Sequence, residues 1–232
     1  MKAVVLAAGR GRRMGDATKK SPKCLFEYKG LPLIEHIVSN LQEYINLKDI
    51  YLISGYKSRQ LDYLKLLTFK NHEWDKTNIM GSLLQADPVL MHNETIVTYS
   101  DIYYEPNAIA KLLERRSPAV VSTENWREIW QKRFKNPLED LESFSVDSKG
   151  FLSGIGGGVE DINQVMGQFS GIYSLNPSSW EWIKANVKNL SLKDTTSTLN
   201  ELSRSSPFKV EVANYGGEWA EIDTLSDALS QV

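Results

Sequence analysis

Two glycines spaced Gly9-x-Gly11 directly follow an apolar run over residues 4–8. Backbone N–H groups in such a loop can approach an anion with no side chain in the way, so the pattern reads as a phosphate cradle. The loop continues to residue 23 and carries Arg10, Arg12, Arg13, Lys19, Lys20 and Lys23. Two common phosphate loops do not fit. A dinucleotide fingerprint needs a third glycine three residues on and a helix opening on the loop. Position 14 is Met14, and Pro22 precedes any helical pattern. A Walker A loop needs Gly-Lys-Ser/Thr in one string, but Gly15 is followed by Asp16 and Lys20-Ser21 come late. A surface loop bearing solvated cations is the competing reading.

These groups need elements that carry them to one place. Residues 4–8 read as a strand buried on both faces, and 50–53, 95–99 and 119–122 repeat the pattern. Leu33, Ile34, Ile37, Val38 and Leu41 recur at helical spacing. Leu61, Leu64 and Leu67 predict another helix, residues 79–86 a short one ending before Pro88, and Ile109, Leu112 and Leu113 a further one. This alternation predicts an α/β fold, a mainly parallel sheet flanked by helices. After Thr123 the pattern changes to a hairpin over 144–155 and a strand over 168–175. Helices over 179–187 and 195–204, a strand over 208–212 and a terminal helix over 224–229 follow. No linker interrupts the chain. The expectation is a single domain over 1–232, with 124–175 as an acceptor-side insertion and return strands above the carboxyl edge of the sheet. Ligands bind at that edge in open parallel sheets.

Composition narrows the function classes. The chain has 232 residues, 41% apolar and 24% charged, with a net charge of −2. A nonspecific nucleic-acid coat needs a basic surplus that is absent here. Cys24 is the single cysteine, so no internal disulfide forms and a reducing cytoplasm is expected. His36, His72 and His92 with one cysteine make a poor zinc set. No apolar run approaches the roughly 20 residues that span a bilayer, and the N-terminal run is too short for a signal peptide.

The string Leu6-Ala7-Ala8-Gly9-Arg10-Gly11-Arg12-Arg13-Met14, then Ser21-Pro22-Lys23-Cys24-Leu25, resembles the signature of nucleotidyltransferases that couple an NTP to a phosphorylated acceptor. Gly30-Leu31-Pro32-Leu33-Ile34, Ser100-Asp101 and Trp219-Ala220-Glu221-Ile222-Asp223-Thr224 match in the same order. The resemblance covers most of the chain and is densest over 3–38. It implies a Rossmann-like sheet, a magnesium-dependent reaction and pyrophosphate as the leaving product. Arg13 matches the family's arginine along the triphosphate, where its fork suits bidentate contact. Lys23 matches the lysine between the α-phosphate and the acceptor's phosphate. Asp101 and Asp223 match the acidic positions that hold magnesium, a hard cation that takes carboxylate oxygens. In extended backbone Glu221 shares a face with Asp223 and is a further candidate ligand. The competing readings are a helix N-cap for Asp101 and a rim carboxylate for Glu221.

The same resemblance gives the nucleotide to Leu6, Ala8, Gly9, Gly11, Asn78 and Ser82. Sugar-nucleotide members often have a Gln-rich, Gly-Thr-containing segment where this chain has Thr77-Asn78-Ile79-Met80-Gly81-Ser82. That looks more like the phosphocholine cytidylyltransferase branch and its phosphonate-activating relatives, so the base is expected to be cytosine. Asn78 as a simple helix cap is the alternative. Residues 126–142 resemble an insertion of cytidylyltransferases that act on small acceptors, and Arg133, Trp126 and Trp130 are its candidate acceptor contacts. Aromatics can close round a small alkyl or ammonium group while arginine takes phosphate. The bland alternative is a packed helix, since Trp126, Trp130 and Phe134 fall at i, i+4 and i+8.

The expected activity is transfer of CMP from CTP to a small phosphate or phosphonate acceptor. The alternatives are a sugar-1-phosphate nucleotidyltransferase using UTP or dTTP, and a non-catalytic nucleotide-binding module. Arg13, Lys23, Asp101 and Asp223 occurring together argue against the last. No nucleic acid and no membrane insertion are expected, and a homodimer is left open.

Overall fold

In the computed structural model residues 1–230 are described. The chain opens with β1 (Lys2–Ala7), a two-residue hairpin β2 (Glu27–Tyr28) and β3 (Leu31–Pro32), and helix α1 (Leu33–Gln42). Next come β4 (Ile50–Ser54), β5 (Leu67–Lys70), α2 (Ile79–Leu83), α3 (Asp87–Leu90), β6 (Thr95–Tyr99), β7 (Ile102–Tyr104), α4 (Asn107–Leu113) and β8 (Ala119–Thr123). The second half holds α5 (Trp126–Arg133), the hairpin β9 (Glu142–Val146) and β10 (Leu152–Gly158), and β11 (Gln168–Leu175). Helices α6 (Pro177–Asn186) and α7 (Thr195–Ser205), strands β12 (Glu211–Tyr215) and β13 (Trp219–Glu221), and α8 (Leu225–Ser230) complete it.

Seven strands form the central sheet in the order β12-β8-β11-β6-β1-β4-β5. β11 runs antiparallel to both β6 and β8, and every other neighbouring pair is parallel. The sheet is thus mostly parallel, flanked by helices and Rossmann-like. Val4, Val5, Ile50, Ile53, Ile96, Val97, Val120 and Val121 are fully buried, as expected of strands covered on both faces. α1 buries Leu33, Ile34, Ile37, Val38 and Leu41, the residues its spacing singles out. No described helix is long and apolar enough to cross a membrane.

Two expectations need correction, and one strand pairing goes beyond them. Leu67 does not continue a helix. The 3-10 turns of Ser58–Leu64 end at Lys65, whose φ of 54° is left-handed, and Leu67 opens the mostly exposed edge strand β5. The expected short helix over 79–86 is present as α2 and the 3-10 turn Leu84–Ala86, and Pro88 then sits in the first turn of α3, where its missing N–H costs nothing. The strand expected over 208–212 begins later, because the Val210 carbonyl accepts from Leu152 N–H and pairing with β8 starts at Glu211. Finally, β7 and β13 pair antiparallel, which their three-residue lengths hide from periodicity.

That last pair positions the site. β7 follows Ser100-Asp101 at the end of β6, and β13 delivers Glu221-Ile222-Asp223 alongside. The Ile222 N–H donates to the Asp101 carbonyl at 3.0 Å, and Ile222 itself is fully buried.

Candidate active site

The glycine loop is shaped around Lys23. Gly11 has φ 75°, and a Cβ built there would lie 2.5 Å from Cβ of Lys23. Only a glycine leaves room for the lysine's aliphatic stem. The Thr18 hydroxyl donates to the Gly11 carbonyl at 3.0 Å and fixes the turn from the other side. A Cβ at Gly9 would meet nothing within 4 Å, so that position faces open space.

The stem carries the Lys23 ammonium to a buried position between two carboxylates. Nζ donates to Asp101 Oδ2 at 2.9 Å and also to Asp223 Oδ1. Arg13 pairs with the other oxygen of Asp223 at 2.9 Å, with its side chain 66% exposed. Residues far apart in sequence thus converge on one charge cluster. Burial works against the Lys23 cation, but Asp101 and Asp223 more than offset it and hold its pKa at about 12. Glu221 shows the opposite balance. Burial first, and then the neighbouring Asp223, push its carboxyl up to about 8. Asp101 does not cap a helix: α4 has no side-chain cap and begins after Pro106.

A cleft with two lobes surrounds this cluster. One lobe, of about 370 Å³, is lined by Leu6, Ala8, Gly9, Gly11, Asn78 and Ser82, the six expected nucleotide contacts. Arg13, Lys23, Asp101 and Glu221 line it as well. Asn78 performs two tasks, since its side chain also caps α2 by accepting from Ile79 N–H at 2.8 Å. The lobe depends on a residue that periodicity does not reveal. Buried Asn71 donates to Thr77 Oγ1 at 2.9 Å and to Ser82 Oγ at 3.1 Å, and its carbonyl accepts from Glu73 N–H. Trp74 adds an aromatic wall.

The second lobe, of about 310 Å³, shares Arg13, Tyr99, Asp194 and Glu221 with the first. Its further walls include Asp223, Trp130, Trp219, Phe169, Asp140 and Glu142. Trp130 and Trp219 stack with centroids 5.8 Å apart and planes within 6°. Glu142 and Asp194 both lie beside the Thr196 hydroxyl, at 3.5 and 3.4 Å. These acids were not among the sequence candidates, because nothing in their spacing links them.

Of the three candidate contacts in the segment over 126–142, one lines the cleft. Trp130 reaches the second lobe. Trp126, 3% exposed, lines neither lobe and packs in the core. Arg133 lines neither lobe. Its side chain is 1% exposed, with Nη1 3.2 Å from Glu221 Oε2 and Nε 3.1 Å from Asp227 Oδ1. The helical stripe was a packing signal, and the arginine was drawn inward by carboxylates far along the chain.

Comparison with known proteins agrees with this geometry. Residues 3–155 match the MobA-like NTP transferase domain. The CTP:phosphoglutamine cytidylyltransferase of Campylobacter jejuni is 28% identical over all of this chain and 99% of its own. The choline-phosphate cytidylyltransferase of Streptococcus pneumoniae is 31% identical over 67% of this chain and 69% of its own. The inositol-1-phosphate CTP transferase of T. maritima shares the fold, with a TM-score of 0.76 at 17% identity over 97% of this chain and 90% of its own. The glycine loop, the convergent acids and these likenesses agree: the chain belongs to the MobA-like NTP transferase family and is a nucleotidyltransferase.

Proposed function

We propose that the protein is a cytidylyltransferase that transfers CMP from CTP to a small phosphate or phosphonate acceptor. The observation that carries this reading is the junction of the two lobes at Arg13, beside Lys23, Asp101 and Asp223. An acceptor oxygen attacks the α-phosphorus, the bond from that phosphorus to the α,β-bridging oxygen breaks, and pyrophosphate leaves. Two anions must meet, so positioning and fixed positive charge supply most of the acceleration. Lys23 holds its cation at the junction on a stem seated against Gly11. Arg13, largely exposed, would exchange its pairing with Asp223 for phosphate while Lys23 remains on Asp223.

The donor set also suits magnesium. Asp101 and Asp223 converge on one ammonium, so both carboxylates face the same spot, and magnesium typically takes one or two carboxylates plus phosphate oxygens and water. Among the described residues no cluster of three or more His, Cys, Asp or Glu side chains forms a metal cage. When bound, the ion neutralises triphosphate charge. These two aspartates would hold it, with Glu221 beside them.

Cytosine is favoured by the segment Thr77–Ser82 and by relatives whose names specify CTP or cytidylyl transfer. The acceptor lobe has Asp140, Glu142 and Asp194 beside Trp130, Trp219 and Phe169. Carboxylates and aromatic faces both attract a cationic nitrogen, so an amine-bearing acceptor fits better than the phosphate of an uncharged sugar. Thermal stabilisation with CTP, UTP, dTTP, ATP and GTP in magnesium tests the donor, and pyrophosphate release then tests turnover. CTP is expected to raise Tm most. A larger rise with UTP or dTTP, and turnover with sugar 1-phosphates, would replace this reading with the sugar-nucleotide alternative.

A further inference from the structure

Arg133 lies at the end of α5, in the segment that walls the acceptor lobe, yet its guanidinium is buried against two carboxylates and lines neither lobe. It spans the turn that carries Asp223. Nη1 meets Glu221 at the end of β13, and Nε meets Asp227 in α8. The second oxygen of Asp227 accepts from the Asp223 N–H at 3.1 Å, the Thr224 N–H at 2.7 Å and the Thr224 hydroxyl at 2.9 Å. One guanidinium thus ties together the residues on either side of Asp223, and its carboxylate partner grips the Asp223 peptide itself. The fork is in turn packed on aromatic faces, with its central carbon 4.9 Å from the Phe134 centroid and 5.4 Å from that of Trp130.

We infer that Arg133 and Asp227 are positioning residues that hold Asp223 in register with Lys23, so that the insertion walling the acceptor lobe also sets the geometry of the phosphate-transfer junction. The inference rests on the nucleotidyl-transfer reading for its consequence, but its mechanical core does not. A planar fork with separate N–H groups can engage two carboxylates at once, which a single ammonium on a flexible stem does less well. Trp130 links the halves: it stacks on Trp219 of β13, lines the acceptor lobe, and supports the Arg133 fork.

The test compares Arg133→Lys and Asp227→Asn with Trp126→Phe, a buried α5 change outside both lobes. Exchange of the Asp223 and Thr224 amides, followed by NMR, reads the grip directly and needs no nucleotide. In Arg133→Lys it is expected to accelerate about 10-fold or more relative to amides elsewhere in the sheet. Asp227→Asn alters the acceptor that grips these N–H groups directly and sets an NH2 or a neutral oxygen against the Arg133 fork, so exchange should accelerate at least as much as in Arg133→Lys. In turnover assays both variants should raise the magnesium needed for half-maximal rate and lower kcat, with CTP KM within about threefold of wild type. Trp126→Phe should lower Tm without either change. Unchanged Asp223 and Thr224 exchange in both clamp variants would overturn the inference. So would a magnesium response that tracks Tm equally in all three. If Arg133→Lys does not fold, Asp227→Asn decides on the same readouts. A wild-type protein that binds no nucleotide would end the transferase reading, while amide exchange would still decide the clamp.

Discussion

The stem of Lys23 fills the space that any side chain at Gly11 would need. The two are a matched pair: a Cβ at Gly11 would come within 2.9 Å of three successive carbons of the lysine. The glycine loop therefore has a packing task of its own. It seats the cation that meets Asp101 and Asp223. Gly11→Ala should cost about 1–3 kcal/mol through its left-handed φ alone. It should also displace the ammonium, so kcat should fall more than folding stability explains. Turnover compared with thermal unfolding checks this. A variant with lowered Tm but wild-type kcat would separate the glycine from the lysine.

Lys23→Met should slow turnover by ~10²–10³, as expected for one preorganised charge at a reacting centre, and should weaken CTP binding much less. The pH dependence has a definite sign. The folded pKa of about 12 exceeds the ordinary value of 10.5. The stabilisation this pair contributes is therefore fully present below the unfolded value and is lost as pH rises through about 12. Up to pH 10 no loss of kcat should be traceable to Lys23. A basic limb with a midpoint below 10 that vanishes in Lys23→Arg would contradict this assignment.

Asn71 is the third target. Its amide spans Thr77 and Ser82 from a buried position, so Asn71→Ala leaves buried groups unsatisfied at about 1–3 kcal/mol. Because Ser82 lines the nucleotide lobe, CTP KM should rise while acceptor KM stays nearly constant. Steady-state kinetics with each substrate varied in turn will tell. Equal increases in both would mean general loosening.

The acceptor lobe makes a prediction about charge. 2-Aminoethylphosphonate and n-propylphosphonate have nearly the same shape and differ in one ammonium. The amine should be preferred by about 10-fold or more in kcat/KM, the scale of one ionic contact to a charged group. Glu142→Gln should narrow that ratio without altering CTP KM. Equal rates for the pair would remove the carboxylate wall from acceptor recognition.

Much of this site was legible in the residues. The apolar runs marked β1, β4, β6 and β8 because strands buried on both faces have few alternative readings. Lys23, Asp101 and Asp223 stood out through the short strings around them. Arg133 could not be placed from local sequence. Its carboxylate partners lie 88 and 94 residues away, and the same helical spacing serves packing and binding alike. Asn71 was equally hidden, because a buried amide that organises its neighbours has no periodic signature. Asp140, Glu142 and Asp194 come from separate segments, so only the folded chain makes them a wall. β5 and β7 were missed because an exposed edge and a three-residue strand leave little hydrophobic pattern to read.

The reversed strand β11 has a consequence for how the gene can be divided. The family match ends at residue 155, before β11 begins at Gln168. Yet β11 is the plank between β6 and β8, which do not touch without it. A polypeptide stopped at residue 155 would carry β6 and β8 with two inner edges unpaired, the arrangement that invites strand exchange and aggregation. Lacking the late strands as well, it would have neither Glu221 nor Asp223. The family-matched first two thirds is thus no minimal enzyme. Fragment complementation, with residues 1–155 and 156–232 supplied as separate chains, should restore the sheet only when the second piece brings β11 into the gap.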